Sequence, residues 1–224
     1  MKHFGVIVKP GKYGLELTRD TYAIISTKNS LGKFPHMQHA YADKEGTTYT
    51  EEWCLEYQQL VLRNFDLNMR FFASLSHDEF QASLDSFLLK NKGFVEVSDL
   101  TEYTGVSGYY VMVLDKYSQV YIGTTDDIRK RIQQHWSRRK YFDRLLFPMY
   151  AVNESILSID SFRALDTTRI YVRVTKRTYV SENKYIKQFP QQYVTNRVGG
   201  GIFSHGLLGF LQFGSTIKSR QLCD

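Results

Sequence analysis

Two tyrosines, an arginine–histidine pair and one glutamate are the side chains here whose types and spacing could do chemistry. Tyr110 and Tyr121 fall in the strand-like runs Gly108 to Leu114 (GYYVMVL) and Val120 to Gly123 (VYIG), with Asp115 to Gln119 as the turn between them. A phenol titrates near pH 10, so it moves protons at neutral pH only where neighbours favour its phenolate. Tyrosine is also an ordinary sheet residue, and packing is the plainer reading. Gly108 and Gly123 flank the strands and permit close backbone approach.

Arg131 and His135 are four residues apart on a basic helix whose buried stripe is Ile128, Ile132 and Trp136. Both border that stripe, within about 60° of it at 100° per residue. Stacked there, they could meet a phosphate against the adjoining strands; the plainer alternative is a helix boundary whose long side chains reach solvent. Asp126 or Asp127 stands where a carboxylate can cap the helix. Arg129, Lys130, Arg138, Arg139, Lys140 and Arg144 add charge along the same segment, as a solvated face or as phosphate contacts.

Glu182 lies on a further helix, expected from about Arg177 to Phe189 and stopped by Pro190. It shares a face with Tyr179, Ile186 and Phe189. A carboxylate there calls for a partner, because burying it unpaired is costly. A salt bridge would serve, and so would a hard divalent cation such as magnesium, which needs only one or two carboxylates.

The elements that must position these groups are short. Strand, turn, strand and basic helix are followed by a strand at Arg169 to Val174 (RIYVRV) and the Glu182 helix, a β–β–α–β–α order that implies a small α/β or α+β domain over residues 101–224. Residues 1–100 read as a separate α+β region. Phe4 to Lys9 and Leu15 to Thr27 are strand-like around the turn Pro10 to Gly14, and Asn29 to Thr50 reads as loop. A helix is expected over Glu51 to Phe65. A second starts at the capping box Ser76/Glu79, carries Phe80, Leu84, Phe87 and Leu88 on one face, and ends at Asn91-Lys92-Gly93. His36 and His39 have a metal-ligand spacing but lack a third ligand, which favours a structural or surface role.

Charge is divided between the two parts. Residues 1–100 hold 11 Lys+Arg against 13 Asp+Glu, net −2; residues 101–224 hold 18 against 10, net +8, making up the overall +6. A basic second half suggests a polyanionic partner such as nucleic acid. A hydrophobic fraction of 42% excludes a disordered composition. Two cysteines, Cys54 and Cys223, argue against a disulfide scaffold and fit a reducing cytosol. The most apolar stretch, Gly201 to Phe213, is too short to span a bilayer, so a soluble, cytoplasmic protein is expected.

The triplet Gly108-Tyr109-Tyr110, ten intervening residues and Tyr121-Ile122-Gly123 resemble the signature of the GIY-YIG nuclease superfamily, with Tyr109 standing where isoleucine is usual. The continuation YIGTTDDIRKRIQQHW is similar to the family pattern in which an arginine eight residues past the last glycine is catalytic, here Arg131. The histidine four residues on, His135, resembles the homing-endonuclease branch. S-E-N-K-Y-I-K-Q-F-P resembles the helix bearing the metal-binding glutamate, Glu182, and T-N-R-V-G-G-G the closing motif, with Asn196 as its asparagine. The resemblance covers about residues 105–201 and suggests a standalone bacterial or phage-type member with an N-terminal extension.

What the resemblance implies is a small sandwich domain with a central antiparallel three-stranded sheet flanked by helices, and a DNA endonuclease of restriction, homing-like or mobile-element type. It implies one magnesium ion on Glu182, with manganese able to substitute. Arg131 would neutralise charge on the phosphoryl oxygens. Tyr110 would act as general base, Tyr121 and His135 would position or assist, and Asn196 would hold the Glu182 loop or the phosphate. Arg129, Lys130, Arg138, Arg139 and Lys140 would contact DNA. Residues 1–100 would read the target, regulate or dimerise, a homodimer being one way to cut both strands. A catalytically silent DNA-binding module and a partner-dependent defence component are the competing readings.

Overall fold

The computed structural model describes residues 1–24, 51–138, 140, 142, 145–147, 151–176, 182–197 and 219–223. The expectations on His36 and His39, Tyr179, Arg139, Arg144 and the Gly201 to Phe213 stretch lie outside the described residues.

The chain is a mixed α and β protein. A two-stranded hairpin, β1 (Lys2–His3) and β2 (Val6–Ile7), turns through Phe4 and Gly5, both in the left-handed region. The strand expected from Leu15 is instead the short helix α1 (Arg19–Tyr22). Thr18 caps it by accepting from the Thr21 amide, so local capping prevails over β-branched composition. Helix α2 (Glu51–Ser74) runs beyond the expected end at Phe65, because Leu67 and Phe72 continue the buried face. Helix α3 (His77–Lys90) starts as expected, with Ser76 Oγ accepting the Glu79 amide at 3.2 Å.

A four-stranded antiparallel sheet forms the centre, ordered β3 (Val95–Glu96), β6 (Arg169–Val174), β4 (Gly108–Leu114), β5 (Gln119–Thr125). Three strands were expected. The fourth, β3, comes from before residue 100 and pairs Val95 with Val172 and Glu96 with Tyr171. Helices α4 (Ile128–Ser137) and α5 (Glu182–Ile186) complete the described helices. Asp127, not Asp126, caps α4 by accepting the Lys130 amide at 2.9 Å. Among the described residues no helix is long and apolar enough to cross a membrane.

All seven residues of β4 are buried, so the strand reads as a continuous apolar run rather than an alternation. Its pleat still sorts them. Tyr110, Met112 and Leu114 join a cluster with Ile128, Ile132 and Trp136 of α4 and with Tyr57, Val61, Phe65 and Phe72 of α2. Tyr109, Val111 and Val113 join another with Phe80, Leu84 and Phe87 of α3 and Tyr185 and Ile186 of α5. Burying side chains of this size contributes roughly 1.5–3 kcal/mol each. Both clusters draw on either side of residue 100, where a domain boundary was expected. Asp166 adds a polar tie, accepting from the Leu17 and Arg163 amides at 2.8 and 2.7 Å and from Tyr117 Oη at 2.9 Å.

Candidate active site

The register of β4 and β5 sets the two tyrosines in place. Tyr110 lies opposite Gly123 and Met112 opposite Tyr121, so the tyrosines are diagonal neighbours on one face, ring centroids 6.1 Å apart. Glycine at 123 is required by the Tyr110 ring, which crosses it: a Cβ there would stand 2.3 Å from Tyr110 Oη and 2.4 Å from Cζ. A Cβ at Gly108 would meet the Arg173 carbonyl oxygen at 2.4 Å, so both glycines at the open end of the hairpin serve close packing.

Helix α4 covers the same face. His135, 1% exposed, brings Nε2 to 2.8 Å from Tyr110 Oη. Its ring meets Tyr121 edge-on, with centroids 5.0 Å apart. Arg131, one turn earlier and half-buried, interacts with both phenols; its Nη1 also lies 3.5 Å from Gln134 Oε1. Helix α5 packs against β5, which brings Glu182, its first residue, within electrostatic reach of Tyr110, Tyr121 and Arg131. Five of the six residues expected at the site therefore come together.

Burial is the dominant influence on all of them. It pushes the Tyr110 hydroxyl well above the usual phenol range, with Tyr121 and Glu182 adding to it and Arg131 opposing. Tyr121 is raised for the same reason, next by Glu182. Glu182 is pushed up to about 7, with Arg131 countering. Burial lowers His135 below the ordinary imidazole value despite its bond to Asp160. It also works against the Arg131 guanidinium, but the two phenols more than offset this and hold its proton firmly. At neutral pH the site thus holds two neutral phenols, a neutral imidazole and a cationic guanidinium beside a carboxyl near its midpoint.

Asn196 bonds the backbone of β5 beside Tyr121. Its amide accepts from Ile122 N–H at 3.1 Å and donates to Ile122 C=O at 2.8 Å, and the Thr195 amide donates to the Val120 carbonyl at 2.9 Å. The segment covers the open edge of β5. It thereby holds the strand between Tyr121 and Gly123.

The basic residues divide as well. Lys130 and Arg138 are exposed, and Arg129 is half-buried, its Nη1 3.1 Å from Thr104 Oγ1. Lys140 turns inward: Nζ donates to Ser158 Oγ at 2.7 Å and lies 3.7 Å from Asp160 Oδ2, and its side chain is 24% exposed. Burial, with Arg197 adding, brings its ammonium down to about 8.

Asp160 is the residue that sequence reasoning missed. It sits in a short 3₁₀ turn, Ile159–Ser161, and its Oδ1 is 2.5 Å from His135 Nδ1. Histidine acting as a base needs an acceptor on its second nitrogen, but nothing in the sequence selects Asp160 from the other aspartates of this half. The segment before it is pinned by α2. Asn64 Nδ2 donates to the Val152 and Ser155 carbonyls at 2.6 and 2.7 Å, and Asn68 donates to Ser155 C=O at 3.0 Å and accepts from Leu157 N–H at 3.3 Å.

Among the described residues no group of three His, Cys, Asp or Glu side chains gathers as a metal-ligand set. A magnesium-type site does not require one, since that ion keeps several waters on one or two carboxylates. The half-buried Glu182 carboxyl, disfavoured as an anion in the metal-free chain, has the chemistry that such an ion would satisfy. No protein-family model, curated protein or solved structure matches the chain significantly.

Proposed function

We propose that this chain is a metal-dependent DNA endonuclease of the GIY-YIG type, its three-stranded core extended by β3. The observation that supports it best is the convergence of Tyr110, Tyr121, Arg131, His135 and Glu182 from four separate elements onto one patch of the sheet. A sheet packed only for stability has no use for five polar groups there, each desolvated at a cost.

The chemistry follows from the groups present. Water attacks phosphorus in line, forming a new P–O bond as the P–O3′ bond breaks. Tyr110 Oη takes the proton of the attacking water and gives its own to His135 Nε2, so that no free phenolate is needed at rest. Tyr110 is out of contact with solvent, 0% exposed, so phosphate and water enter over the half-exposed Tyr121. The Arg131 guanidinium neutralises charge growing on the phosphoryl oxygens. Glu182 is the residue that would hold a magnesium ion, for which manganese could substitute, and such an ion would supply further positive charge against that growing on the reacting phosphate. Lys130 and Arg138 offer exposed positive charge for the flanking backbone.

The test is incubation of supercoiled plasmid and of single-stranded and branched DNA with the purified chain in magnesium, manganese or EDTA, beside Glu182→Ala. Metal-dependent nicking or linearisation that is lost in the variant supports the reading. A Glu182→Ala chain cutting at the wild-type rate removes the metal assignment, and survival of every substrate removes the nuclease.

A further inference from the structure

His135 is held at both ring nitrogens, by Tyr110 at Nε2 (2.8 Å) and by Asp160 at Nδ1 (2.5 Å), with 1% of its surface exposed. Water therefore does not compete for either nitrogen, and the two protein partners decide which one carries the proton. An ionised carboxylate only accepts. With Asp160 on Nδ1, that nitrogen must be the donor and Nε2 the acceptor, which obliges Tyr110 to point its hydroxyl proton at the imidazole. Burial alone would raise the Asp160 carboxyl; the His135 bond, with Lys140 and Arg131 alongside, more than reverses this and holds it below the ordinary carboxylate range. Arg163 and Arg197 are the other charged groups that feel it, both cations.

The support around Asp160 is itself built. Ser158 Oγ accepts from the Asp160 amide at 3.4 Å and from Lys140 Nζ at 2.7 Å, so Lys140 braces both the turn and the carboxylate. Asn64 and Asn68 fix the backbone leading into the turn. A carboxylate held at this many points and only 13% exposed suits a group that acts through another residue.

We infer that Asp160 is the positioning residue of the site, fixing His135 in the Nδ1–H form so that Nε2 can receive the Tyr110 proton. The inference rests on the nuclease reading for its catalytic meaning, but the pairing itself can be tested without activity. Asparagine at 160 can turn its NH₂ toward Nδ1, which moves the ring proton to Nε2 and leaves Tyr110 without an acceptor. The same replacement in the Ser-His-Asp triad leaves geometry intact and cripples catalysis by this route.

The experiment uses the full chain. Two-bond ¹H–¹⁵N correlation of the histidine rings at pH 7.5, assigned through His135→Gln, should show His135 neutral with its proton on Nδ1, and Asp160→Asn should invert or mix that pattern. In plasmid cleavage with magnesium, Asp160→Asn should lower kcat about 10²- to 10⁴-fold, with KM little changed. In a His135→Ala background it should cost nothing further. A wild-type His135 protonated on Nε2, an Asp160→Asn chain cutting at the wild-type rate, or additive losses in the double variant would each overturn the assignment. A wild-type chain that cuts nothing yet shows the Nδ1–H ring removes the nuclease and leaves the Asp160–His135 pairing standing.

Discussion

Asn196 closes on Ile122 with both halves of its amide, accepting from the N–H at 3.1 Å and donating to the C=O at 2.8 Å, as a neighbouring strand would. Asn196→Ala leaves two buried backbone groups unpaired, a loss of about 2–6 kcal/mol at roughly 1–3 kcal/mol for each. Thermal unfolding should record it as a lowered Tm, with cleavage falling only as far as β5 loosens. Asn196→Asp should be worse, since a carboxylate would face the Ile122 carbonyl. A variant with unchanged Tm and no activity would instead give Asn196 a role on the substrate.

Alanine at Gly123 should be among the most damaging single-methyl changes in the chain. The new Cβ would overlap the Tyr110 ring, and the ring can escape only by leaving His135. Overpacking of this kind costs about 1–3 kcal/mol, and cleavage should fall far more than stability does. Adding Tyr110→Leu should restore the Tm without restoring the cut; if Gly123→Ala alone cuts normally, the Tyr110–His135 bond has no catalytic part.

The Glu182 carboxyl gives the site a pH signature. Its folded-state value is raised from near 4.5 to about 7, so between those values the folded chain binds the extra proton. Glu182 therefore lowers stability progressively as pH rises from about 4.5 through 7, and no further above. In EDTA, the Tm of wild type relative to Glu182→Gln should decline across that window. Magnesium competes with the proton, so it should raise the wild-type Tm more at pH 8 than at pH 6 and leave Glu182→Gln unmoved. Equal magnesium shifts at both pH values would separate the metal from this carboxylate.

Cutting the chain at residue 100 should not release a working nuclease. Phe80, Leu84 and Phe87 cover one face of the sheet, and Tyr57, Val61, Phe65 and Phe72 part of the other. Residues 101–224 alone should show no cooperative thermal transition by circular dichroism and should bind a hydrophobic dye. In the whole chain, Leu84→Ala should cost about 2–5 kcal/mol. A fragment that melts sharply and cuts DNA would restore two independent units.

What could be read in the sequence was what local rules govern. The Ser76 cap and the Phe80, Leu84, Phe87 stripe, the placing of Tyr110 and Tyr121 on the two strands of one hairpin, and the four-residue step from Arg131 to His135 are all set within about ten residues. What could not be read depends on partners far along the chain. Lys140 looks like one more member of a basic run until Ser158 and Asp160 face it. Val95–Glu96 carries no strand signal of its own and becomes one only beside β6. Asn196 carries in the sequence only its place in the closing motif, and its bonds to Ile122 emerge only beside the open edge of β5. Asp160 owes everything to a histidine 25 residues earlier.

The clamp that Asn64 and Asn68 place on residues 152–157 also bears on time. Its bonds span 87 to 91 residues, and the Asn196 clip on Ile122 spans 74. Contacts this distant close late, because each must first overcome the entropy of a large loop. During synthesis the histidine helix therefore emerges before the turn that orients it and before the asparagine that secures its strand. The patch of Tyr110, Tyr121, Arg131, His135 and Glu182 therefore stays unassembled until the Asn196 clip has been made, which, on the proposed nuclease function, would keep the chain from cutting DNA during its own synthesis.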